Sequence, residues 1–440
     1  MTDRAAPRGG RRTPRIRVLT ALAATVAVLG AAAGLGAAAA GTARADSTWA
    51  AAQSAAADAG QGGVDSAAEA VPLSLHQTVP SSYTFPGIAP VLPWPSSGQA
   101  ALVVEGLGSL GSSGPVDTPV PIASIAKTMT SYLILRDHPL APGQDGPTIT
   151  VTAADAAVYQ KEAATTDDSL TPVKAGEQLT ERDALYALML ASADNVAQIV
   201  ASWDAGSVPA FLAKMNAMAA TLGMSHTTFT DPSGLDASTT STAPDLIRLG
   251  EAALERADFR EIVAAPKASV PVAGTIYNYD GLLGTDGVIG VKTGSTSEAG
   301  ACLLFAATVT VGGQTETLVG AVLGQRLGSG HSELFAAMDA ALKLVVSGEQ
   351  ALGTAPVAVP GTVLATVDRG TKRVTALTPA AAVTVVGWPG LGFRVSVLGS
   401  PARSSVAVSA AASELADAGS PPVAAEPLRP GPPAAADRTG

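Results

Sequence analysis

Apolar and polar positions change period several times along this chain, and each change marks an element. Residues 99–105 (Gln-Ala-Ala-Leu-Val-Val-Glu) form an apolar run of strand length. From Ser124 the spacing becomes helical, with Ile125, Met129, Tyr132 and Leu133 near a 3.6-residue period. Residues 148–151 predict a short extended piece, and residues 153–160 a helix. Thr180 stands where it can N-cap a helix over 181–190, with charge in its first turn. Helical spacing returns over 195–203, over 208–222 ending at Gly223, and over 244–257 with Pro244 in the first turn. Strand-like runs then follow at 288–291, 299–311 and 315–323, the last two separated by Gly312-Gly313. Residues 332–346 predict a closing helix. This order implies an α/β fold: a sheet built from both ends of one unit, flanked by helices, with an all-helical region inserted.

That unit occupies residues 81–348. Residues 355–400 carry four strand-like pieces (362–367, 373–377, 382–386, 393–398) with Gly/Pro turns, predicting a small C-terminal β domain. Residues 401–440 are rich in Ala, Pro, Ser and Asp and predict a disordered tail, and residues 46–80 an Ala-rich linker. In residues 1–45, Arg4, Arg8, Arg11, Arg12, Arg15 and Arg17 precede an uncharged apolar run over 18–40, and Ala43-Arg44-Ala45 supplies an A-x-A-like cleavage site. This reads as a signal peptide, or as an N-terminal anchor where it is not cleaved. In either case the body is exported and acts outside the cytoplasmic membrane, secreted or associated with the cell wall.

Charge sharpens this picture. The first 45 residues hold seven arginines and one acid, so the remainder carries −16 of a total of −10. Such a body excludes nucleic acid as a partner and limits membrane contact to the N-terminal segment. The one cysteine, Cys302, excludes an intramolecular disulfide and lies in a run that reads as a buried strand. Gly106-Leu107-Gly108-Ser109-Leu110-Gly111 is a formal G-x-G-x-x-G, but Gly114, Pro115, Pro119 and Pro121 follow where a helix should start, so it predicts a hairpin.

Three polar groups carry candidate chemistry. Of eight lysines only Lys127 has a serine three positions before it, Ser124. On a helix, i and i+3 share a face, so Lys127 can reach the Ser124 hydroxyl and, if neutral, accept its proton. Burial and a second cation can lower a lysine pKa from about 10.4 toward neutrality. Lys292 is the candidate cation, opening Lys292-Thr293-Gly294 after an apolar run in which Gly290 would leave room beside it. Thr293 and Gly294 can present a hydroxyl and an open backbone to a substrate laid along the strand, and the N–H groups of Ser124 and Ser295 are candidate oxyanion-hole donors. Between the lysines lies Ser192-Ala193-Asp194-Asn195. Taken singly, the pair can be a solvated helix face, the tripeptide a strand end entering a turn, and the cluster a helix cap. Their order in one exported chain favours the catalytic alternative.

With these motifs the chain resembles the D-alanyl-D-alanine carboxypeptidases, low-molecular-mass penicillin-binding proteins of peptidase family S11. The resemblance rests on Pro121-Ile122-Ala123-Ser124-Ile125-Ala126-Lys127-Thr128-Met129-Thr130, Lys174-Ala175-Gly176-Glu177, Phe229-Thr230-Asp231-Pro232-Ser233-Gly234-Leu235 and the stretch from Val288 to Gly300 around Lys292-Thr293-Gly294. It implies a β-lactamase/transpeptidase-like fold. Ser124 is then the acylated nucleophile, Lys127 its general base and Ser192 a proton relay, while Lys292 holds the terminal carboxylate of a stem peptide ending in D-Ala-D-Ala. β-Lactams are the implied inhibitors, and no metal or cofactor is implied. One position departs: the family's Ser-x-Asn has Asp194 in third place, with Asn195 next. Asp194 can pair with a lysine and keep it charged, or Asn195 can take the side-chain role after a small backbone shift.

Two alternatives share these residues. A class A-like β-lactamase has the same trio but needs a Glu-x-x-Leu-Asn that the chain lacks. A non-catalytic wall-binding homologue would have its site disabled by Asp194. A Ser-His-Asp hydrolase is disfavoured by four scattered histidines, His76, His138, His226 and His331, and by the lack of a G-x-S-x-G elbow.

Overall fold

A computed structural model describes residues 74–166, 168–326, 333–368, 374–379, 381–399 and 406–412. The export segment, residue 331 and most of the linker and tail lie outside them. Among the described residues, no helix is long and apolar enough to cross a membrane.

Five antiparallel strands form the central sheet: β1 (Gln99–Val104), β2 (Gly108–Ser113), β3 (Val288–Thr296), β4 (Gly300–Val311) and β5 (Gln314–Gln325). Their order is β3-β4-β5-β1-β2, so β3, which carries Lys292-Thr293-Gly294, is an edge strand. β1 and β2 are the expected hairpin. The helices are α1 (Lys127–Asp137), α2 (Ala153–Thr165), α3 (Glu181–Met189), α4 (Asp194–Ala205), α5 (Val208–Thr221), α6 (Ala243–Leu254), α7 (Ala257–Val263) and α8 (Glu333–Ala351). Thr180 caps α3 in a reciprocal box, its hydroxyl accepting from Asp183 N while the Asp183 carboxylate accepts from Thr180 N.

Alternation along β4 explains the layers. Ala301, Leu303, Phe305 and Ala307 enter the core shared with α8, whereas Cys302, Leu304 and Ala306 enter the core shared with the inserted helices. Buried on both faces, the strand reads as a continuous apolar run. Phe305 stands opposite Gly320 on β5, where a Cβ would lie 2.2 Å from the Phe305 ring. The glycine therefore makes room for the ring, whose truncation to Ala would cost about 3–5 kcal/mol.

Around the C-terminal β unit the structure corrects two expectations. Residues 46–80 are not linker throughout: Ser74–Gln77 pairs with Ala365–Asp368. Just beyond them, Ser82–Thr84 pairs with Gly392–Arg394. The tail expected from residue 401 contributes a strand, Val406–Ala412, on the other side of Gly392–Gly399. In both segments the pairing comes from backbone groups, which compositional bias does not report. Phe85, Trp388 and Phe393 join the α8-side core, so the unit packs on the main body.

Candidate active site

Ser124 lies in a 3-10 turn, Ala123–Ala126, that runs directly into α1 at Lys127. The α-helical spacing expected here is thus tightened to three residues per turn, which stacks positions i and i+3 directly. Lys127 Nζ stands 2.8 Å from Ser124 Oγ, 2.5 Å from Asp194 Oδ1 and 2.9 Å from the Ser233 carbonyl oxygen. Lys127 is fully buried. Burial lowers its pKa, while Asp194, through charge and hydrogen bond, and more weakly Asp231 and Asp168 raise it; the net direction is down.

Two backbone strains frame the site. Ala123, directly before the nucleophile, has φ +48°, and Ser192 has φ +59°, in the left-handed region that non-glycine residues avoid. Each costs on the order of 1–3 kcal/mol and persists only where the surroundings impose it. Around Ala123 the imposing contacts are close: a Cβ on Gly234 would lie 1.8 Å from the Ala123 carbonyl oxygen, and one on Gly294 2.9 Å from Ser124 N. Gly294 therefore lets β3 lie against the nucleophile turn. The strand also continues to Thr296 rather than ending near residue 291.

Lys292 is 1% exposed and donates to the Thr293 carbonyl at 2.9 Å. Burial first, then the Lys127 charge, lowers its pKa to about 7, against Asp194 and Asp280, which raise it. Thr293 and Gly294 are buried, and Ser295 is exposed. Gly290 does not make room for Lys292 as expected. It sits at a bulge with φ +138°, where a Cβ would lie 3.0 Å from Val263 Cγ2 on α7, so it accommodates that helix.

The Ser192 cluster divides. Ser192 is buried just before α4, and Asp194, the first residue of α4, faces Lys127. Asn195 does not reach the cleft. Its amide is clasped by the Thr171 backbone, Oδ1 accepting from Thr171 N at 3.0 Å and Nδ2 donating to Thr171 O at 2.9 Å. Asp194, not Asn195, is therefore the residue of the cluster that meets Lys127.

A cleft of about 300 Å³ opens over Ser124 and Asp194, with Asp168, Leu235, Ser295 and Glu298 on its walls. Reading the sequence missed two supports. Arg326 Nη2 holds the turn after β3 by donating to the Ser297 and Glu298 carbonyls, at 3.1 and 2.9 Å. The Ser233 carbonyl takes part through its backbone, so no side-chain type could have signalled it.

The family model for D-alanyl-D-alanine carboxypeptidase, peptidase S11, matches residues 96–326. The chain is 31% identical over 223 residues to a D-alanyl-D-alanine endopeptidase of Pseudomonas aeruginosa, covering 49% of this chain and 68% of that protein. It is 31% identical over 236 residues to a D-alanyl-D-alanine carboxypeptidase of Streptomyces sp. strain K15, covering 50% and 77%. Among solved structures, penicillin-binding protein 6B from Escherichia coli aligns with TM-score 0.53 and 26% identity, over 68% of this chain and 88% of that one. These findings favour the DD-peptidase reading over a β-lactamase. The chain belongs to the D-alanyl-D-alanine carboxypeptidase family, peptidase family S11.

Proposed function

We propose that this chain is a serine-type D-Ala-D-Ala carboxypeptidase that removes the terminal D-alanine from peptidoglycan stem peptides, outside the cytoplasmic membrane, and is acylated by β-lactams at Ser124. The observation that carries the reading is the set of partners of Lys127. Asp194 Oδ1 and the Ser233 carbonyl can only accept hydrogen bonds; Ser124 can donate one. A neutral Lys127 amine has two protons, which these acceptors take, and its lone pair is left facing the Ser124 hydroxyl. As an ammonium Lys127 would donate to all three partners; loss of one proton turns it into the base.

In this mechanism the substrate lies along the free edge of β3 as an added strand. Ser124 Oγ attacks the carbonyl of the penultimate D-alanine as its proton passes to Lys127, and the N–H groups of Ser124 and Ser295 receive the developing oxyanion. Collapse breaks the amide bond, and the proton returns through Ser192 to the departing D-alanine nitrogen. Water then attacks the ester and frees Ser124. Lys292 attracts the terminal carboxylate from beneath the strand, while Ser295 and Thr296 meet it at the surface.

The test is release of D-alanine from a peptide ending in D-Ala-D-Ala. Wild type should release it and Ser124→Ala should not; equal release by both would refute the assignment.

A further inference from the structure

Phe229-Thr230-Asp231-Pro232-Ser233-Gly234-Leu235 matched its family stretch without a chemical role for its acid. The Asp231 carboxylate gathers the turn. Its Oδ2 accepts from Ser233 N (3.1 Å), Ser233 Oγ (2.6 Å), Gly234 N (2.8 Å) and Leu235 N (3.0 Å), and its Oδ1 accepts from Thr239 Oγ1 (2.6 Å). Each residue so gathered touches a different part of the site. The Ser233 carbonyl accepts from Lys127 Nζ at 2.9 Å. Gly234 packs on the Ala123 carbonyl, where no Cβ fits. Leu235 forms one wall of the cleft. The turn is also tied to α1, because Thr130 Oγ1 donates to the Pro232 carbonyl at 2.6 Å.

We propose that Asp231 is a positioning residue of the reaction: it folds the 231–235 turn so that the Ser233 carbonyl captures one proton of Lys127 and leaves the amine lone pair to Ser124. This rests on the reading of Ser124 and Lys127 as nucleophile and base. Four donors converge on one oxygen, and a carboxylate, having no proton of its own, serves them all. The same carboxylate adds negative charge near Lys127, which favours the ammonium. Asp231 thus acts on the base in two separable ways, by geometry and by charge.

Asp231→Asn separates them. Its amide oxygen can keep the four donors, but its NH2 meets Thr239 Oγ1, which already accepts from the Thr230 and Asp231 backbone N–H groups. Asp231→Ala removes both contributions. The experiment measures penicillin acylation rates against pH for wild type and both variants, beside their melting temperatures. Asp231→Ala should acylate roughly 100-fold more slowly, the cost of a small misplacement. Asp231→Asn should recover about tenfold of that, with its acid limb moved to lower pH because a charge favouring the ammonium is gone. A purely structural acid would lower melting without moving the limb. The proposal is overturned if folded Asp231→Ala acylates within about threefold of wild type, or, where Asp231→Ala fails to fold, if Asp231→Asn acylates at the wild-type rate with the wild-type limb. A wild type that does not acylate at all would overturn the underlying reading as well.

Discussion

The Asp194 carboxylate lies 2.5 Å from the Lys127 ammonium, nearer than the Ser124 hydroxyl at 2.8 Å. The family's amide-bearing position is thus filled by a charged partner for the base. Burial lowers the Lys127 pKa and Asp194 raises it, so wild type retains the ammonium to a higher pH than a neutral partner would allow. In the proposed mechanism the protonated lysine cannot take the Ser124 proton, so this pKa would set the acid limb of acylation.

Asp194→Asn keeps the shape and one acceptor and removes the charge. The expected result is an acid limb displaced downward by about 1 pH unit or more, with acylation at neutral pH equal to or faster than wild type. Acylation rates against pH check this. An unmoved limb would show that Asp194 does not set the state of Lys127.

Lys292 predicts a basic limb in binding. With its pKa near 7, it is an ammonium below that pH and neutral above, so attraction for a carboxylate fades as pH rises. KM for a peptide ending in a free carboxylate should rise by up to about tenfold per pH unit between pH 7 and 9. The same peptide with a C-terminal amide should show no such rise. Flat KM profiles for both would remove Lys292 from carboxylate recognition.

A third prediction concerns stability. Glu181, at the start of α3, is fully buried, and neither carboxylate oxygen has a partner among the described residues. Burial, then the nearby Asp258, pushes its pKa up to about 8, against Arg182 and Arg256. The folded state therefore binds more protons than the unfolded chain between pH 4.5 and about 8, and stability falls across that window as pH rises. Glu181→Gln cannot ionise. Its melting temperature should match wild type near pH 4.5 and exceed it by several degrees at pH 9, for a recovered penalty of about 2 kcal/mol. Parallel melting curves at both pH values would contradict the buried acid's role.

The ease of reading the sequence followed how much side-chain chemistry each element carries. β4 was legible because burial on both faces leaves an unbroken apolar run. The Thr180 cap was legible because its partner, Asp183, stands three residues on. α7 was missed, since Asp258, Arg260 and Glu261 interrupt the apolar spacing of its seven residues. Ser74–Gln77 was missed because it is held by a strand remote in sequence, and Val406–Ala412 because its small Ala, Val and Ser residues lie in an Ala/Pro/Ser-rich stretch, although it pairs with the preceding strand. Within the site, Ser124, Lys127 and Lys292 stood out by type and order. Choosing between Asp194 and Asn195 needed the position of Thr171, which spends the Asn195 amide.

The most direct measurement is the site of covalent acylation. Folded protein incubated with benzylpenicillin, then digested and weighed by mass spectrometry, should carry a single penicilloyl adduct on the peptide containing Ser124. Ser124→Ala should carry none. An adduct on another residue, or an unmodified Ser124 in folded wild type, would contradict the account.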